Sequence, residues 1–279
     1  MKSIDLSFAS GEIMSSGESL ENFKLFCQFL GGEKRIPNAL LWSFSIWGRA
    51  TTGLSVLYKE VLEQIPKCSE EWKEFERKKY GGRTESLILA LRYEIFLNFI
   101  CSLCDNLGFV VYSLYRSKSL PQGFNEQRSR FLEDNSIDSA YSEILKDTDW
   151  YNEVHAIRTE ATHYLSGLIV LSGESALGYS NVPTSKKKET PVAITVRDVE
   201  AHVKDVYQKF LLFLSRFGSH FVENINQDAI SVLICVSASD QVIGARSILL
   251  KEARRHEEWK CAGSDSCPER PICQTRKRG

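Results

Sequence analysis

The sequence predicts an all-α protein, an antiparallel helical bundle with a small C-terminal appendage, and three observations carry that prediction. Four long segments repeat apolar residues at three-and-four spacing, which places them along one side of a helix. Before residue 228 no segment alternates apolar and polar residues as a half-buried strand would. With 279 residues, 43% of them apolar, the chain can bury a sizeable core.

The elements follow in order. A short helix over about Leu20 to Leu30 stops at a Gly pair. The first long helix runs from Asn38 to Ile65, with Leu41, Phe44, Leu54, Leu57 and Val61 in step and Pro66 as its stop. The second runs from Thr84 to about Arg116 with Ile88, Leu91, Ile95, Phe99, Leu103, Leu107, Val110 and Leu114 in register. Its middle is apolar nearly all round, which predicts a central position. From Gly123 to Thr148 the chain is charged and broken, with room for two short helices. The third long helix spans about Asp149 to Leu171, and "SGESALGYSNVPTSKKKETP" after it reads as a mobile loop. The fourth begins at Thr195, whose hydroxyl can cap while Asp198 completes a box-like pair. Its core row is Val199, Val203, Val206, Phe210, Phe213, Phe217 and Phe221. "AISVLICVSAS" fits a buried strand or a helix equally well, and a last helix over about Gln241 to Trp259 leads into a Cys-rich basic tail. The expected division is an N-terminal helical segment over 1–37, the bundle over 38–227 and an extension over 228–279.

Charge narrows the function classes. The 35 basic and 36 acidic residues give no global field, so a polyanion would have to be held by a local cluster. The start "MKSIDLSFASGE" has no signal-peptide run, and the longest unbroken apolar stretches fall short of the ~18 residues of a membrane span. A cytoplasmic protein with no membrane partner is expected. Eight Cys, several inside apolar helical patterns, suit reduced thiols better than a disulfide framework. Cys101 and Cys104 of "CSLC" read as core residues. Nothing resembles a phosphate-binding Gly loop, a paired-carboxylate site or a nucleophile elbow.

"NEVHAIRTEATHYLSGL", residues 152–168, carries the chemistry. On a wheel, Val154, Ile157, Ala161, Leu165 and Leu168 form the core row, while His155, Arg158, Thr159, Thr162, His163 and Ser166 share the quadrant beside it. Arg158 and His163 lie roughly 140° apart on an ideal helix, so they border this strip without stacking. A second copy docked by two-fold symmetry would bring the strips together and build a cleft from two Arg and two His. Arg is a permanent charge shaped for phosphate oxygens and for the charge that builds on phosphorus. His, with an ordinary pKa near ~6.5, can take a proton from a ribose 2′-hydroxyl or give one to a leaving 5′-oxygen, with no metal.

"RTEATH", Arg158 through His163, resembles the signature of the HEPN superfamily, an Arg and a His four to six residues apart on a late helix of an α-helical bundle. A long apolar helix before the motif, and a loop and closing helix after it, are similar too; the resemblance covers about Thr84 to Val222. It implies a homodimeric, metal-independent endoribonuclease of toxin–antitoxin or antiviral defence systems, with Arg158 and His163 at the dimer cleft, RNA as substrate and an antitoxin or other regulatory protein as partner. The residue after the Arg, often Asn, Asp or His in that family, is Thr159 here. Where a subgroup has a Tyr two residues beyond the His, this chain has Leu165, with Tyr164 one position early.

Several residues keep two readings. "RDVEAH", Arg197 to His202, has the same spacing as "RTEATH" and an Asp after its Arg. His155, Thr159 and Thr162 on the strip, with Lys186, Lys187 and Lys188 in the loop, are the candidate RNA contacts, or an ordinary solvated surface. His256, Cys261, Cys267 and Cys273 have the donors for a structural zinc, whereas their spacing also suits a tail with free thiols. No cofactor is expected for catalysis. The reading from a different class is a non-catalytic dimerisation, sensor or scaffold module whose Cys-rich tail binds a metal or partner.

Overall fold

The computed structural model describes residues 20–33, 35–78, 81, 83–115, 119–163, 167–172, 176–181, 194–224, 231–238 and 242–249. For His163, Ile194, Thr195 and the segments 231–238 and 242–249 it describes the backbone alone. In chain order the helices are α1 (Glu21–Gly31), α2 (Ala39–Gly48), a π-helical segment (Arg49–Gly53), α3 (Leu54–Lys78), α4 (Thr84–Leu114), α5 (Phe124–Glu133), α6 (Ser139–Lys146) and α7 (Trp150–His163). Strands β1 (Leu168–Ser172), β2 (Ala176–Asn181) and β3 (Ile194–Val196) follow, then α8 (Val199–Glu223), β4 (Ser231–Ala238) and β5 (Val242–Leu249). The protein is mostly helical, but it is not all-α. Strands β1, β2 and β3 form an antiparallel sheet in that order, and β4 pairs antiparallel with β5.

The chain divides into two compact units, one of residues 48–213 and one of residues 1–47 with 214–279. In the continuous unit, α3 packs along α4. Glu71 of α3 caps α4 from outside the helix, its carboxylate accepting from the amides of Glu85 and Ser86, each at 2.9 Å. These amides belong to the orphan donors that any helix start leaves. Pro66 lies inside α3 and does not stop it. It sits on the exposed side, where the backbone bond it forfeits can be replaced by water, while Val61, Gln64 and Cys68 carry the buried face past it.

Helix α4 matches its expected bounds and is lined by buried residues from Leu89 to Val111. By length and composition it could cross a membrane; half of its most apolar 18-residue window is buried against the rest of the protein. Its expected row fails in one stretch, since Leu91 and Ile95 are 43% and 52% exposed while Tyr93, Phe96 and Leu97 turn inward. Helices α5 and α6 fill the charged stretch as expected. Arg128 of α5 is buried with its guanidinium on Thr148 at 2.7 Å, Asn152 at 2.9 Å and Asp149 at 2.5 Å, which satisfies a charge that burial alone would penalise.

In the discontinuous unit α1 supplies Phe23, Phe26 and Phe29, and the end of α8 supplies Phe217 and Phe221. The Phe26 ring meets Phe217 edge-on at 5.0 Å and Phe221 at 5.6 Å. Gly218 makes the close approach possible, because a Cβ there would stand 2.4 Å from the Phe23 amide nitrogen. In α2 the inward residues are Ala39, Ser43 and Ile46, whereas Leu41 is 68% exposed. The π-helical turn at Arg49–Gly53 shifts the helical phase, so no single apolar row runs from Leu41 to Val61.

Two further expectations are corrected here. Thr195 lies in β3, and Asp198 caps α8 instead, its carboxylate accepting from the Ala201 amide at 3.0 Å. The expected helix over 241–259 is a strand over 242–249, which gives β4 a partner for its ladder groups; Gly244 also disfavours a helix there.

Candidate functional site

Helix α7 carries the Arg–His motif and packs on α4. Tyr151, Val154 and Ile157 are fully buried, which fixes the helix's rotation and turns His155 and Arg158 toward its margin. The sequence row continued to Ala161, Leu165 and Leu168. Ala161 is half-buried, Leu165 lies outside the described residues, and Leu168 is 63% exposed in β1. The helix does not reach Leu171: its last described residue is His163, residues 164–166 lie outside the described residues, and the Gly167 amide is engaged outside the helix. It donates to Glu94 Oε1 of α4 at 2.8 Å and to the Tyr179 hydroxyl of β2 at 3.1 Å. Beyond it "LIVLS", read from the sequence as the end of the helix, is a strand that pairs antiparallel with "ALGYSN", which lies inside the stretch that reads as a loop.

Arg158 is half-buried and donates from Nε to Asn98 Oδ1 of α4 at 3.2 Å. Among the described residues no carboxylate forms an ion pair with it. A neutral amide orients the guanidinium and leaves its charge uncompensated, as an anion-binding group requires. His155, one turn before Arg158, is half-buried with its ring 5.6 Å from Tyr151. Burial, then the Arg158 charge, pushes its pKa below the ordinary value, so it is neutral at neutral pH. Beneath them Cys101 is pushed up to about 12 by burial, against the pull of Arg158, so it stays a thiol.

The other expected residues are distributed unevenly. Thr162 is exposed on α7, whereas the Thr159 hydroxyl is shielded from solvent with no hydrogen-bond partner among the described residues. The His163 backbone ends α7; its side chain lies outside the described residues, as do Lys186, Lys187 and Lys188. His256, Cys261, Cys267 and Cys273 lie outside them too, and among the described residues no group of three His, Cys, Asp or Glu side chains converges. Cys101 and Cys104 are free thiols buried in α4.

The second match splits. Arg197 is exposed in the bend before α8, and only His202 stands on the helix. The His202 ring is already engaged, with Nδ1 2.8 Å from the Tyr93 hydroxyl and Nε2 3.7 Å from Glu153 of α7. Sequence reasoning missed Glu94 and Asn98. Their signal was present, two polar residues four apart inside the apolar run "YEIFLNFICSLC". No family model matches the chain, and no curated protein and no solved structure matches it either.

Proposed function

We propose that this protein is a metal-independent endoribonuclease of HEPN type that acts as a homodimer. Its helices would form an antiparallel bundle, with the residues after α8 as an appendage. Arg158 steadies the phosphate, and His163 moves the proton as the 2′-hydroxyl attacks phosphorus. The bond to the 5′-oxygen then breaks, leaving a 2′,3′-cyclic phosphate and a 5′-hydroxyl. The observation that carries this reading is the half-buried Arg158, held by the neutral Asn98 and free of any ion pair among the described residues. By resemblance the setting is a toxin or antiviral defence effector inside the cell, restrained by an antitoxin or another regulatory protein, and a zinc in the Cys-rich tail would be structural only.

The test is RNA cleavage by purified protein with a chelator present. Arg158→Ala and His163→Ala are each expected to lower the rate by roughly 100-fold or more while staying folded. Arg197→Ala should leave it unchanged. Unaltered cleavage in both of the first two variants overturns the assignment.

A non-catalytic dimerisation or scaffold module is the second reading, and the exposed row Leu87, Leu91 and Ile95 along α4 suits it as well as it suits a nuclease dimer. It predicts a dimer without cleavage.

A further inference from the structure

Four residues past the last described residue of the motif helix, two side chains from other elements close on one backbone amide. Glu94 Oε1 accepts from the Gly167 amide at 2.8 Å and from the Tyr179 hydroxyl at 2.6 Å, and that hydroxyl also accepts from Gly167 at 3.1 Å. Three groups therefore share one buried corner between α4, β2 and the chain that leaves α7. The fit admits only glycine, since a Cβ on residue 167 would lie 2.3 Å from the Tyr179 ring. The ring in turn rests on Tyr93 at 4.9 Å, and Tyr93 reaches His202 of α8. Burial, then Glu94, drives the Tyr179 pKa upward, so the phenol remains a donor across the working pH range. Gly167 is four residues past His163, and four residues reach at most about 14 Å. The place where this amide is held thus bounds where the end of α7 can stand.

We propose that Glu94 and Tyr179 are positioning residues, a latch on the Gly167 amide that fixes the C-terminal end of α7 and so the approach of His163 to the scissile phosphate. The inference rests on the nuclease reading and assigns the latch no contact with RNA. Arg158 is held independently by Asn98, so the latch acts on the His half of the motif.

The experiment compares wild type with Tyr179→Phe, Glu94→Ala and Glu94→Gln, the last of which keeps an acceptor oxygen. Amide hydrogen exchange over residues 160–172 is measured first, because it needs no activity. The Phe and Ala variants are expected to exchange roughly tenfold faster there, as the loss of a hydrogen bond allows, with α3 unchanged and Gln close to wild type. In RNA cleavage the same two should lose roughly 100-fold in kcat at little cost in KM, with the His limb of the pH profile displaced and Gln restoring both. Unchanged exchange overturns the latch whatever the activity. Faster exchange with unchanged kcat overturns its positioning role. If wild type itself fails to cleave RNA, the nuclease reading falls first, and Glu94 and Tyr179 are left as a structural anchor only.

Discussion

His202 shows what one side chain contributes when its environment opposes its charge. Burial pushes its pKa below the ordinary 6.5, more strongly than Glu153 and Asp205 raise it, while Lys209 adds to the depression. The folded protein therefore prefers a neutral ring, hydrogen-bonded to Tyr93. The unfolded chain takes up its proton near pH ~6.5, whereas the folded chain does so only at lower pH. Stability is then fully present above that value and is lost as pH falls through it toward the folded value. His155, depressed by burial and by Arg158, adds the same sign. His202→Gln should flatten the fall of melting temperature between about pH 7.5 and 5 without abolishing it. An acid slope equal to that of wild type would show that His202 titrates as freely folded as unfolded.

At the scale of elements, Gly218 sets how closely α1 and α8 approach. An added methyl would meet the Phe23 amide nitrogen at 2.4 Å and its Cα at 2.5 Å, and backbone cannot rotate away as a side chain can. Gly218→Ala is expected to cost about 1–3 kcal/mol or more, read from urea unfolding, despite the better helix propensity of Ala. Elements whose reasons are local were legible from the sequence. The row from Val199 to Phe221 in α8 is at most 5% exposed throughout, α1 and α4 lie where periodicity put them, and α5 and α6 fall in the broken stretch with room for two short helices. Elements decided at a distance were not. Gly167 is kept out of helix α7 by Glu94 and Tyr179, which come from other elements, and although a glycine is a local stop signal the partners of its amide cannot be read from the residues around it. The candidate site divides the same way, since Arg158 could be read from its helix face and Asn98 stood out as a polar residue in an apolar run, but only the packing of α7 on α4 pairs the two.

For the molecule as a whole, the proposed homodimer needs a surface, and the apolar side chains left outside the core offer one. Leu87, Leu91 and Ile95 follow one another at four-residue spacing on α4, 55%, 43% and 52% exposed, and Asn98 near the end of that face holds Arg158. Burying this row against a second copy would bring the two motif helices toward each other, the arrangement a cleft built from paired Arg and His needs. Native mass measurement should find a dimer for wild type and a monomer, with unchanged helical content, for Leu91→Glu combined with Ile95→Glu. A variant that stays dimeric would move the association surface elsewhere.

The unit formed by residues 1–47 and 214–279 has a consequence for synthesis. Phe217 and Phe221, which cover Phe23 and Phe26, are translated about 190 residues after them. Throughout that delay α1 has Trp47 beside Phe23 but lacks Phe217 and Phe221, and the part of its apolar face they cover is open to a holdase or to aggregation when translation stalls. Fragments truncated before residue 214 never receive their cover, and they should precipitate or be degraded where the full chain survives.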